Sequence, residues 1–254
     1  MMKLDVIATL RDAWGLFRRD GGLLVRLAAP FLFWPSLALG LLVPMPPQPE
    51  EGVGEGGLRA MAWIDSVGEW ATHYGGWYFA AYAIGMIGTA AVLSLELGGG
   101  RQSVGEALGR ALTMAPRFVL AMILVAVPVG AGTLLWILPG IYIAGRLMLV
   151  GPVLFAERRM AALAALAAMG RSVVLTRGAG LSMAALASCT YLGGIVAAQP
   201  FVALIDVVQG DGGMGSGNPV AIALLQAGAA AVAMAAGLAQ ALISIAAYRR
   251  LVRA

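Results

Sequence analysis

One histidine and one cysteine are all this chain has of the residues most used for metal binding and for acid–base or thiol chemistry. His73 has no second imidazole, so a His-based metal centre or a Ser/His/Asp set cannot be assembled around it. Cys189 has no partner for an internal bridge and lies in an apolar run, so it says nothing about redox compartment. Charge is equally scarce. Charged residues are 12% of the 254, about half the ~25% of soluble domains. Seventeen basic and 13 acidic residues cannot coat a globule of this size. No glycine-rich loop leads into Lys-Ser/Thr, which argues against a nucleotide-driven pump. These absences exclude a soluble enzyme and a disulfide scaffold. The 60% apolar content excludes a disordered chain.

What is present is hydrocarbon. Mean hydropathy is +0.85. A spanning helix needs ~20 apolar residues at 1.5 Å each, and six stretches qualify: 27–45, 77–97, 118–138, 139–156, 179–205 and 219–248. The fourth is short and follows a Pro-Gly pair, with Pro139 a natural first helical residue. Pro128, Pro152 and Pro200 fall inside spans, where neighbouring helices can satisfy the freed carbonyls. The expected fold is an all-α integral membrane bundle of six transmembrane helices, one domain over residues 1–254.

The charges sort by side. With six spans both termini share one side, and all but two of the 17 basic residues fall there. The exceptions are Arg59, on the other side, and Arg146, inside the fourth span. Seven acids, among them Glu50, Glu51, Asp65, Glu69 and Asp206, fall on the other side. The positive-inside rule puts both termini in the cytoplasm. The pI of 9.6 is therefore a topology signal, and no nucleic-acid partner is expected.

The first twenty residues do not read as a cleavable signal peptide. Val6, Ile7, Leu10, Ala13, Trp14 and Phe17 share one helical arc, with Arg11, Asp12, Arg18 and Arg19 on the rest. That predicts an amphipathic helix over 1–20 on the cytoplasmic surface. The Pro-rich run from Pro44 into Glu51 predicts no fixed structure. Residues 58–74 place Trp63, Trp70 and Tyr74 on one face and predict a second interfacial helix, on the outer surface. A helix packed on the outer rim of the bundle fits the same pattern.

The two long cytoplasmic loops match in design. Span two ends at Glu96, and Arg117 opens span three about 20 residues on; span four ends at Glu157, and Arg177 opens span five after a similar interval. Each interval has room for a short surface helix, Ser103–Met114 in one and Met160–Leu175 in the other. This is the outline of a two-fold repeat. An acid at a helix C-terminus opposes the macrodipole, so Glu96 and Glu157 either pair with a nearby Arg or stay solvated. Arg171, Arg177 and Arg158/Arg159 form a basic face. It serves topology, and each basic residue there is worth ~1 kcal/mol of attraction to anionic lipid.

Residues 138–178 carry a family resemblance. Leu138-Pro139-Gly140-Ile141-Tyr142-Ile143-Ala144-Gly145-Arg146-Leu147 continues to Gly151-Pro152 and Glu157, then to Gly170-Arg171-Ser172 and Leu175-Thr176-Arg177-Gly178. This resembles the membrane domain of glycerophosphoryl diester phosphodiesterases and its stand-alone, uncharacterised bacterial inner-membrane relatives. The shared pattern is a Pro-Gly turn, a span with an embedded Arg, a Pro, a Glu, and an Arg-Ser…Leu-Thr run. The resemblance implies a six-span bundle in a lipid-related context in the bacterial inner membrane, and no particular reaction. Fused members of that family carry a barrel whose carboxylates and His hold a metal; these residues contain no His pair and no acidic cluster of ligand spacing.

Arg146 is the sharpest single residue. A charge within a span costs ~2.5–3.5 kcal/mol on insertion scales and usually finds a partner. About six residues past the outer turn, it lies ~8–9 Å deep by helix rise. It snorkels to the outer headgroups, pairs with Asp206 at the outer end of span five, or contacts a lipid phosphate. Between the last two, Asp206 is favoured because it lies on the correct side. Gln199, Gln226 and Gln240 read as interhelical hydrogen-bond partners. Ala229, Ala233, Gly237 and Ala241 make a small-residue face on span six, suited to packing within the chain, with a membrane-protein partner or in a homo-oligomer. The expected function is non-enzymatic: a lipid-contacting accessory or scaffold protein with no cofactor, no metal and no catalytic residue. Transport of a lipid or small amphiphile is the alternative. A membrane-embedded hydrolase ranks third, for want of residues.

Overall fold

The computed structural model describes residues 4–47, 56–98, 103–157, 164–209 and 218–253. All the secondary structure among them is helical. Helix α1 (Val6–Ala28) runs through a π-helical turn at Ala29–Phe33 into α2 (Trp34–Leu42). Then come α3 (Gly56–Leu97), α4 (Val104–Leu135), α5 (Ile137–Leu147), α6 (Val150–Ala156), α7 (Ala164–Leu175), α8 (Gly180–Gln209) and α9 (Pro219–Arg253). Six helical segments are long and apolar enough to cross a membrane: Val6–Leu42, Met61–Leu97, Val104–Leu135, Ile137–Ala156, Gly180–Val208 and Pro219–Arg253. The chain is a multi-pass membrane protein with the six spans expected from its hydropathy.

Each span packs on its neighbours in sequence, and α9 closes onto α1 and α2, so the six form a ring. The ring is plugged at one end. There α6 touches α3, α7 and α9, and Val150, Val153, Leu154 and Phe155 are fully buried. The same end holds the start of α1 and the ends of α3 and α9, which Arg250 joins to Asp12 at 2.6 Å. It is called the terminal end below.

Three surface helices expected from the sequence are instead extensions of spans. From Val6 on, the stretch expected as the 1–20 helix is the first part of the helix that becomes span one. Its Leu4, Ala13 and Leu16 are buried in the bundle's core, although Ile7 and Trp14 stay exposed. Pro30 explains the π turn that follows. It has no N–H to give and its ring crowds the carbonyl one turn back, so the ladder widens rather than breaks. The 58–74 helix merges with span two in the 42-residue α3. Trp70 clasps Tyr74 and Tyr78 across Gly75-Gly76, with ring centroids 6.1 and 5.1 Å apart. The Ser103–Met114 helix merges with span three in α4. Its start is fixed by a capping box, Ser103 with Glu106, and Arg117 lies inside α4 rather than opening a span.

The outer face of α3 is used by the chain itself. Trp63 Nε1 donates to the Pro47 carbonyl at 2.9 Å, and Trp70 Nε1 to that of Pro44 at 3.1 Å. Residues 44–47, the described part of the expected unstructured loop, are thereby pinned along α3. The rest of that loop, Arg158/Arg159, Asp211 and most of the 209–218 loop lie outside the described residues.

Span four is broken. It starts at Ile137, two residues before Pro139, and α5 gives way to α6 at Met148-Leu149. Pro152 has no N–H for the Met148 carbonyl and its ring opposes that carbonyl, so the ladder stops there. Met148 N–H closes a shorter turn on Gly145 at 3.3 Å. Two glycines let this span approach its neighbours. A Cβ on Gly145 would lie 2.6 Å from the Ala184 backbone nitrogen of α8, and one on Gly140 would lie 2.9 Å from the Thr133 backbone of α4.

Candidate functional site

Inside the ring lies a half-open chamber of about 660 Å³, lined by residues of all six spans. Its floor is at the terminal end, where Leu93, Phe118, Gly151 and Ser244 meet. Along α3 the lining runs from Leu93 to Tyr78, ~22 Å at helical rise. The walls are largely hydrocarbon, interrupted by Ser36, Tyr78, Tyr82, Thr89, Tyr191 and Gln240. Gln240 Nε2 of α9 donates to the Tyr191 hydroxyl of α8 at 3.1 Å, the interhelical role expected for that glutamine.

Beneath the floor, one turn past Leu93, the Glu96 carboxylate is only 2% exposed. Arg19 Nη2 reaches its Oε2 at 3.4 Å and Arg249 Nη2 at 3.3 Å; Arg249 also donates to the Glu96 backbone carbonyl. One buried anion thus ties α1, α3 and α9 together. The sequence reading had Glu96 either paired or solvated, and it is paired. Both partners come from the chain's two ends rather than from a nearby loop. Glu157 is paired as well, accepting from Arg171 Nε at 3.1 Å. That pair is more exposed and closes the second loop locally.

Arg146 is not placed as expected. Its Nη2 donates to the Val173 carbonyl at 2.9 Å and its Nη1 to that of Thr176 at 3.2 Å. Ser172 Oγ returns a bond to the Arg146 carbonyl at 2.7 Å. Helix α7 ends here, with Gly178 in the left-handed region at φ 82°. The guanidinium therefore satisfies the orphan carbonyls of a helix C-terminus and complements its dipole. Consequently α7 is not a free surface helix; Ala164, Ala165, Ala168 and Ser172 are buried. The Asp206 ion pair is overturned. Thr176 precedes α8 while Asp206 sits 26 residues beyond Gly180, near the other end of that helix, ~39 Å away at helical rise. Snorkelling outward is overturned by the same two bonds. Helix rise along span four offers Arg146 only the ends of the bundle to reach for, whereas the fold tucks the end of α7 in beside it.

Arg177 is exposed in the turn after α7, and Asp206 is exposed on α8. Of the candidate residues, Glu96, Glu157, Arg171 and Arg146 fall into three structural clusters, Glu96 with Arg19 and Arg249, Glu157 with Arg171, and Arg146 with the end of α7. None of them lines the chamber. The chamber residues Tyr82 and Tyr191 were missed. Tyr78 and Tyr82 at i, i+4 on an apolar helix were the visible signal, but an interfacial aromatic belt has the same look.

Comparison with protein-family models, with curated proteins and with solved structures gives no match for this chain.

Proposed function

We propose that this is a non-enzymatic protein of the bacterial inner membrane, with both termini cytoplasmic, that takes a lipid or small amphiphile into the chamber between its spans. The observation that carries this reading is the chamber itself: concave, mostly apolar, with few polar groups, which is the usual character of a small-molecule site. The basic residues at the terminal end support the orientation and give anionic lipid a surface to meet. The resemblance of residues 138–178 to a lipid-related membrane domain points to the same context. A lipid-contacting accessory or scaffold role, with a membrane-protein partner or a second copy, is served by the same chamber.

A second reading, transport, is favoured by one observation. The chamber is floored at one end, and the broken α5–α6 helix borders it through Leu147, Met148 and Gly151. Discontinuous helices beside a midplane site are what alternating access uses.

Lipid co-purifying with the full chain, counted by mass spectrometry, tests the chamber reading. Ala126→Trp, which fills the chamber from α4, is expected to lower bound lipid per protein at least threefold. Unchanged lipid in a folded variant overturns the reading. Reporter fusions after Asp211 and at Ala254 are expected to show opposite sidedness; matching sidedness overturns the orientation.

A further inference from the structure

The chamber's polar groups narrow the class of ligand, an inference that rests on the chamber reading above. No Asp, Glu, Lys, Arg or His lines it. Arg146, the one charged side chain of the broken fourth span, is turned to α7. A charged head drawn into this space would lose its water and meet no counter-charge, a heavy cost in low dielectric.

The hydroxyls are mostly spoken for. Ser36 donates to the Leu32 carbonyl at 2.8 Å, Thr89 to that of Gly85 at 3.1 Å, and Ser244 to that of Ala241 at 2.7 Å. What remains is Tyr78 and Tyr82 on α3 and a bonded pair between α8 and α9. Tyr191 accepts from Gln240 Nε2, and Tyr82 lines the same chamber. Among the described bonds, the pair keeps a Tyr191 O–H to donate and a Gln240 carbonyl to accept. Gln240 is nine residues up α9 from Arg249, ~14 Å above the Glu96 cluster and well inside the hydrocarbon depth.

We infer that the chamber holds a neutral amphiphile. Its hydrocarbon chain lies along the α3 wall, and an uncharged hydroxyl-bearing head, such as that of a glycerol monoester, is gripped by Tyr191 and Gln240. The head both donates and accepts, which a bare alkane cannot do and a phosphate cannot do without stranding its charge.

The test uses the full chain in lipid discs and four probes of one chain length: a monoacylglycerol, a lysophosphatidic acid, an alkyl trimethylammonium and a plain alkane. Each competes with a pyrene-labelled monoacylglycerol. The monoacylglycerol is expected to bind at least tenfold tighter than either charged probe. Tyr191→Phe and Gln240→Leu are each expected to weaken it about fivefold, the scale of one neutral hydrogen bond, and to leave the alkane unchanged. A charged probe binding as tightly as the neutral one, or Tyr191→Phe and Gln240→Leu both without effect, overturns the ligand class while the chamber reading stands. Ala126→Trp that unfolds at the wild-type temperature yet alters no probe's binding overturns both.

Discussion

The two ends of the ring are held by different forces. At the terminal end α3, α6 and α9 fill the ring, and Leu93, Leu149, Leu154, Phe155 and Ile245 are almost wholly buried. There the Glu96 cluster, the Arg250–Asp12 pair and the Arg146 contacts with α7 join elements far apart in sequence. At the other end Leu134, Leu135, Trp136, Ile137 and Leu138 are exposed, Leu134 to 89%. Surfaces of that kind suit lipid, which provides no hydrophobic drive for helices to close on one another. A membrane bundle can therefore stay open wherever backbone approach, hydrogen bonds and ion pairs are sparse. Here the described ion pairs are gathered at one end, with the chamber above them, while the other end has the close approach of Gly140 to α4 and two Trp–carbonyl bonds.

Six substitutions sharpen this contrast, all read by thermal unfolding in detergent and in native-lipid discs. Gly145→Val should have the largest effect, about 3 kcal/mol of lost stability, because its Cβ would meet α8 backbone that cannot rotate away. A loss below ~1 kcal/mol would show that α5 and α8 can part freely. Glu96→Gln comes next. Removing the anion of a buried ion pair costs ~3–5 kcal/mol. With Arg19 63% exposed and able to reach water, about 2–3 kcal/mol is expected.

Arg146→Gln should cost about 2 kcal/mol, the scale of charge-assisted hydrogen bonds. Ser172→Ala should cost about 1 kcal/mol for its single bond to the Arg146 carbonyl. The two should be less than additive because they act on one junction. Asp206→Asn is expected to change stability by less than ~0.5 kcal/mol and to show no coupling to Arg146; measurable coupling would restore the ion pair. The smallest effect belongs to the open end. Leu134→Ala should stay within ~0.5 kcal/mol, and a core-sized loss there would mean that this end closes on itself.

The six spans were legible because each is a local property, a run of apolar residues long enough to cross hydrocarbon. The sorting of Arg was legible for the same reason, since it needs only the span count. Helix boundaries were harder. Amphipathic stretches at 1–20, 58–74 and 103–114 look like separate surface helices, because periodicity marks a buried face but not whether the helix axis turns before the next span. At the expected joints α3 continues through Gly75-Gly76 and α4 through Pro116, and α1 passes its own through a π turn.

Sequence alone therefore determined the class, the number of crossings and the side on which the basic residues gather, all consequences of transfer free energy along the chain. It also singled out Arg146 as a charge in need of a partner, and Glu96 and Glu157 as acids either paired or solvated. Tertiary structure alone decided who those partners are. Arg19 and Arg249 are 77 and 153 residues from Glu96, and Arg146 meets the end of a helix that local pattern had placed on the surface. Tertiary structure alone also decided that Tyr82, Tyr191 and Gln240 share a chamber. Three polar side chains on three helices become a site only when the ring closes and sets their relative rotation, and no spacing along the chain encodes that angle.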